Sequence, residues 1–97
     1  MCDLIYIKQV SHDTYSNSSG YQLFVILDKH FKDNSRVDVS LKNATPMSSS
    51  YLNSSIGELI TLYVFDKFKS VVKFVDVTPS HAEILKSYLL SCGITIH

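Results

Sequence analysis

Residues 36–64 read RVDVSLKNATPMSSSYLNSSIGELITLYV, and they hold the two clearest secondary-structure signals in the chain. Polar and apolar side chains alternate over residues 36–41, which is the period-two pattern of a β-strand. From Leu52 to Val64 apolar residues recur mostly at intervals of three and four, which is the spacing of an amphipathic α-helix. Three consecutive serines at 48–50 stand between the two patterns. The stretch therefore predicts a strand, a polar link and a helix.

The start of this second helix has two alternatives. Ser48 or Ser49 can act as the N-cap, because serine is a preferred capping residue. A later start is also possible, because Ser55 and Glu58 have the spacing of a capping box and Gly57 disfavours a helix interior. The pattern leaves both starts open.

The residues before this stretch predict one strand and one helix. The β-branched and aromatic residues 4–7 are typical of a strand that is buried on both faces. Residues 11–20 are almost wholly polar and turn-forming, which predicts a loop. Residues 21–31 then show the apolar spacing of a first helix, and 32–35 end it.

The residues after residue 64 add a third strand and a third helix. Residues 65–70 are predicted to be a loop, and the valine-rich residues 71–77 a strand. Thr78 before Pro79 marks the start of the last helix. That helix is expected to end at Gly93 and to bury Leu85, Tyr88, Leu89 and Cys92, with a short terminal strand over residues 94–96.

Strands and helices alternate as β-α-β-α-β-α along the whole chain. This order is typical of the α/β class, with a mixed or mostly parallel sheet and three helices. A chain of 97 residues fits one domain, so residues 1–97 are predicted to form a single small domain.

Composition and charge exclude several classes of function. Nine basic and nine acidic side chains give a net charge of zero, which argues against nucleic acid as a partner. No apolar run approaches the ~20 residues that span a bilayer and no signal peptide is visible, so a cytoplasmic protein is expected, without a membrane partner. Cys2 and Cys92 are expected to be free thiols in a reducing compartment.

Catalytic and metal-binding patterns are missing from the sequence. The four histidines are scattered and share no ligand spacing with carboxylates, so neither a metal nor a cofactor is expected. Ser49 and His81 could be imagined as nucleophile and base, but the sequence supplies no third group to orient them and no G-x-S-x-G motif. We therefore predict that the protein is not an enzyme.

A family resemblance rests on residues 37–53, on 56–59 and on the strand-like residues 72–77. These segments resemble the STAS fold of bacterial anti-anti-sigma factors, and more closely a STAS-like domain family of unknown function. The resemblance covers about residues 36–90, and it implies a single STAS-like domain from a bacterium or phage.

The resemblance also implies a site and a partner. In the anti-anti-sigma relatives, a serine at the start of this helix is phosphorylated by a kinase with a histidine-kinase-type ATPase fold, and Met47 and Leu52 place that serine at Ser49. Tyr51 and Asn53 stand where the family's turn has glycines.

We therefore interpret the chain as a non-catalytic regulatory module that docks a protein partner through the start of helix two. The predicted partner-binding residues are Ser48, Ser49, Ser50, Tyr51, Asn53, Ser54, Gly57 and Glu58. Tyr15 and Tyr21 have no place in the predicted core, nor has Tyr51, so all three are interface candidates.

Two alternatives remain open at the level of sequence. The chain could be an assembly subunit, either a homodimer or a component of a phage-related or defence operon. It could also bind a small molecule or a nucleotide at the same helix start, because the N-terminus of a helix favours anions.

Overall fold

Three short parallel strands form the centre of the protein. The computed structural model describes residues 3–93. The strands are β1, Asp3–Tyr6; β2, Val37–Ser40; and β3, Val72–Val75. β2 lies in the middle and pairs in parallel with both neighbours, in the order β1-β2-β3. The predicted α/β class and parallel sheet are confirmed. β2 and β3 are shorter at both ends than the predicted strands, while β1 has the predicted length but begins and ends one residue earlier.

The segment between β1 and β2 contains two helices, α1 at Ile7–Val10 and α2 at Asn17–Asp33. The oxygen Oγ of Ser16 accepts a hydrogen bond from the Ser19 backbone N–H at 3.2 Å and so caps α2. The prediction of a loop up to residue 20 was wrong, because this cap starts the helix before its apolar pattern begins. α1 was not predicted, since a single helical turn has no periodicity to read.

A helical run follows β2. It consists of α3 at Ser49–Leu52, a π turn at Asn53–Gly57 and α4 at Glu58–Val71. The run begins at the serine triplet, so the alternative start at the capping box was wrong. Ser55 caps nothing: it is buried, and its hydroxyl donates to the Tyr51 carbonyl at 2.7 Å.

A break in the backbone divides α4 at Val64, where φ is 61° and ψ is 162°. The apolar helical pattern also stops at this residue. The prediction of a loop over 65–70 was wrong, because the chain resumes as a helical segment up to Val71. Phe68 is buried there and packs on Phe31 and Phe74, with ring centroids 6.0 and 6.3 Å away.

The last helix, α5, spans Pro79–Ser91 and begins as predicted, since Thr78 Oγ1 accepts a hydrogen bond from the His81 backbone N–H. Leu85 and Tyr88 are buried. Cys92 was expected to be buried but is exposed, because it is the residue that ends the helix, just before Gly93 at φ 83°. The predicted strand over residues 94–96 lies outside the described residues.

The helices and the sheet enclose one hydrophobic core. Val37 and Val39 of β2 are fully buried and contribute to it together with Leu23 and Leu27 of α2. The alternate strand positions belong to the opposite face of the sheet, on which Leu4 is 52% exposed. The core side of the sheet therefore carries the helical run that starts at the serines.

Candidate partner-binding ridge

Ser48 is the N-cap of the helical run and is fully engaged in holding it. Its Oγ accepts a hydrogen bond from the Tyr51 backbone N–H at 3.1 Å and donates one to the Tyr15 carbonyl at 2.8 Å. Its own backbone N–H donates to the Thr14 carbonyl at 2.9 Å. Ser48 is therefore a structural residue, because it fastens the helix start to the preceding loop.

A carboxylate rigidifies that loop from within. Asp13 accepts hydrogen bonds from the backbone N–H groups of Tyr15 and Ser16, at 3.0 and 2.8 Å, and from the Ser16 hydroxyl. Desolvation raises the pKa of Asp13, but these hydrogen bonds outweigh it, so the pKa lies below its ordinary value. The ionised carboxylate thus fixes the loop that supports Ser48.

Ser49 occupies the first helical position beside this cap. The residue is exposed, and its hydroxyl makes no hydrogen bond to any other residue of the described chain. The backbone N–H groups at the start of a helix carry a partial positive charge, which favours an anion there. Ser49 is thus open to modification or contact, while Ser48 is not.

Tyr51 does not belong to the exposed surface. Its side chain is fully buried, and its hydroxyl forms a hydrogen bond with the Ser11 hydroxyl at 2.6 Å. Burial raises the pKa of Tyr51 above its ordinary value. The interpretation of Tyr51 as a partner contact was therefore wrong, because the loop after α1 covers the side of α3 that it occupies. Tyr15 and Tyr21 are 68% and 60% exposed.

The π turn is where α5 meets the helical run. The Tyr88 hydroxyl donates a hydrogen bond to Oδ1 of Asn53 at 2.7 Å, and it fills the space in which a side chain at residue 57 would begin. Gly57 is half-buried for this reason. The absence of a side chain at Gly57 serves an internal helix contact, and its assignment to the partner surface stays a prediction.

The remaining predicted residues form one exposed strip, which we call the ridge: Ser49, Ser50, Asn53, Ser54 and Glu58. All are exposed except Ser54, which is half-buried. Ser54 Oγ donates to the Ser50 carbonyl and to Oδ1 of Asn17, both at 3.0 Å, and so links the ridge to α2.

A groove runs along each side of the ridge. The first, which we call the serine groove, lies between α3 and α5 and has a volume of about 560 Å³. Its lining residues are Met47, Ser48, Ser49, Leu52, Ser80, Glu83, Ile84, Ser87, Tyr88 and Ser91. The second, the aromatic groove, lies between α2 and the π turn. It is lined by Asn17, Ser18, Tyr21, Phe24, Asn53, Ser54 and Glu58.

Each groove carries one carboxylate. Among residues 3–93, Glu83 is the only charged side chain that lines the serine groove, and Glu58 is the only one that lines the aromatic groove. The sequence patterns identified the ridge between them but not the grooves, because Phe24 and Tyr88 were assigned only to helix faces. The one signal that pointed to Tyr21 was its lack of a place in the predicted core.

Among residues 3–93, no hydrogen bond pairs Ser49 with His81. His81 is buried, and its Nδ1 lies 2.9 Å from the Thr78 hydroxyl. Over residues 3–93, no three histidine, cysteine or acidic side chains come together as metal ligands. None of the helices in the same range combines the length and apolar character needed to cross a membrane.

Comparison with known proteins identifies a family. A family model described as a STAS-like domain of unknown function (DUF4325) matches residues 19–82, which include most of α2, the sheet strands β2 and β3, the ridge and the start of α5. No curated protein and no solved structure matches the chain.

Proposed function

We propose, since the chain belongs to the family of STAS-like domains of unknown function, that it is a non-catalytic regulatory module that docks a protein partner through the ridge. The partner is a protein with a histidine-kinase-type ATPase fold, and both act in the cytoplasm. Ser49 is the residue whose phosphorylation switches docking. Membership of the family and the exposed start of the helical run support this proposal.

The different environments of two adjacent serines carry the proposal. The Ser48 hydroxyl is used twice within the fold, as cap acceptor and as donor to the Tyr15 carbonyl. The Ser49 hydroxyl is exposed at the next position. A kinase can therefore modify Ser49 without breaking the cap that holds the helix start.

The charges around Ser49 indicate how phosphorylation would act. A phosphate adds roughly −1.5 to −2 charge and is bulky. Within residues 3–93, no basic side chain lines the serine groove to pair with this phosphate, and Glu83 lies in the same groove. A partner that packs against the neutral hydroxyl would have to desolvate this phosphate, which is costly. Phosphorylation of Ser49 thus releases the partner.

The test uses the purified product of the adjacent gene as the candidate partner. Incubation with ATP is expected to place a single phosphate on the peptide that contains Ser49, as read by mass spectrometry. In a pull-down, Ser49→Asp is expected to retain less of the partner than Ser49→Ala. Equal retention of the partner by the two variants would count against a phosphoswitch.

Two further variants separate the switch from a general effect of charge. Ser50→Asp adds the same charge at the next exposed residue of the ridge, and Ser70→Asp adds it at the far end of α4. The Ser70→Asp variant is expected to retain as much of the partner as the wild type does. If Ser70→Asp weakens capture as much as Ser49→Asp, the ridge is not the docking site.

A further inference from the structure

The aromatic groove combines three chemical features in one place. Tyr21 and Phe24 stack on each other with ring centroids 5.8 Å apart and an interplanar angle of 27°. Tyr21 is 60% exposed, so this stacked pair presents an aromatic surface to solvent. Glu58 supplies a carboxylate, and Asn17 and Asn53 supply amide groups, on the same lining.

Among residues 3–93, no basic side chain pairs with the Glu58 carboxylate. The close contacts between basic and acidic side chains in this range are His30 with Asp3 and Lys32 with Asp28, and Glu58 belongs to neither. No lysine, arginine or histidine in the described part of the chain lines the aromatic groove. As residues 3–93 form it, the groove therefore has negative charge and an exposed aromatic face but no cation of its own.

These features match one kind of side chain. An arginine guanidinium is planar, stacks on aromatic rings and pairs with carboxylates, while its aliphatic stem packs on apolar surface. Arginine is also enriched among the residues that anchor protein interfaces. A neutral or acidic side chain would leave the Glu58 carboxylate facing it without compensation.

We propose that the aromatic groove receives an arginine side chain of the docked protein, which stacks on the Tyr21–Phe24 pair and pairs with Glu58. This inference rests on the proposed function, because it names the chemistry of the partner that binds the ridge. The arginine contact lies on the side of the ridge away from the serine groove. It does not involve Ser49, the residue that is phosphorylated.

The test uses a defined probe in place of the partner. The full ¹⁵N-labelled chain is titrated with a short capped peptide that carries arginine between two leucines. A second peptide carries citrulline, the neutral isostere of arginine, at the same position. Amide shifts are expected at residues that line the aromatic groove, and binding of the citrulline peptide is expected to be roughly two- to fivefold weaker.

Matched variants test whether the arginine peptide binds in the aromatic groove. Glu58→Gln and Tyr21→Ala are each expected to lower the affinity for the arginine peptide by roughly two- to fivefold. Both substitutions alter exposed side chains outside the core. Glu83→Gln removes the carboxylate of the serine groove, and this variant is expected to bind the arginine peptide as tightly as the wild type does. Equal binding of the two peptides, or shifts confined to the serine groove, would overturn the inference.

The same variants keep this inference separate from the docking proposal. If partner capture depends on Ser49 but is unchanged in Glu58→Gln and Tyr21→Ala, the arginine contact is wrong and docking through the ridge stands. If the arginine peptide binds the groove but capture does not depend on Ser49, the switch fails and the arginine site remains.

Discussion

The backbone oxygen of Tyr51 lies 2.5 Å from the position that a Cβ atom would take at Gly20. The same Cβ would lie 2.8 Å from Cβ of Ser54. Helix α2 can therefore cross the helical run at this short distance only because residue 20 has no side chain. The contact fixes the ridge from the α2 side, as Tyr88 fixes it from the α5 side.

Gly20→Ala is expected to lower the free energy of unfolding by about 1–3 kcal/mol, because a backbone atom cannot move aside as a side chain can. The gain in helix propensity, about 1 kcal/mol, opposes this loss. Gly57→Ala is expected to lower the free energy of unfolding by less, since its new Cβ meets the hydroxyl at the end of the Tyr88 side chain, which can move aside. Urea unfolding of both variants measures the difference. A Gly20→Ala protein more stable than the wild type would show that the helices are not in close contact here.

Tyr51 offers a second test, of whether it acts in the core or at the surface. Tyr51→Phe is expected to lower the free energy of unfolding by about 1–3 kcal/mol, because it leaves the buried Ser11 hydroxyl without its partner. Tyr21→Phe removes a hydroxyl from an exposed ring and is expected to leave stability unchanged. Thermal or urea unfolding compares the two. Unchanged stability in Tyr51→Phe would contradict a core role.

The elements that the sequence predicted well are those whose signal is local and repeated. Alternation placed β2 to within a residue at each end, since Val37 and Val39 face the core. Thr78 and Pro79 marked the start of α5 because a cap and a first-turn proline act within one turn. The serine triplet was one of the two helix starts that the pattern left open, and the cap at Ser48 decides between them.

The features that the sequence did not reveal depend on contacts between distant residues. Tyr51 is buried, and its hydroxyl bonds to Ser11, 40 positions earlier in the chain, a contact that no local apolar period reveals. The π turn follows no apolar period, and its fit to Tyr88 joins residues 35 positions apart. The helical segment after Val64 is too short to show a period, so its phenylalanines gave no helix signal.

Val64 is strained and exposed. Its φ of 61° with ψ of 162° lies in a region that is essentially restricted to glycine, and its side chain is 63% exposed. Val64→Gly is therefore expected to raise the free energy of unfolding by about 1 kcal/mol, because it removes strain and little buried surface. Leu62→Gly, at an exposed helical residue, is expected to lower it by about 1 kcal/mol. If both variants lose the same stability in urea, Val64 is not strained.

The hydrogen bond from Tyr63 to Asp28, at 2.5 Å, makes stability depend on pH at both ends of the range. This hydrogen bond holds the pKa of Asp28 below its ordinary value, with a further contribution from Lys32, and it raises the pKa of Tyr63. The Asp28 contribution is complete above the unfolded-state pKa of an aspartate and is lost as pH falls through the lowered value. The Tyr63 contribution is complete below the unfolded-state pKa of a tyrosine and is lost as pH rises through the raised value.

Urea unfolding at a series of pH values tests this for the wild type, Asp28→Asn and Tyr63→Phe. On acidification the wild type is expected to lose more stability than Asp28→Asn, which retains only the contribution of groups such as Asp13. On alkalinisation the wild type is expected to lose more than Tyr63→Phe, because the ionised phenol can no longer donate to the carboxylate. Parallel profiles for the wild type and both pair variants would show that this hydrogen bond does not couple stability to pH.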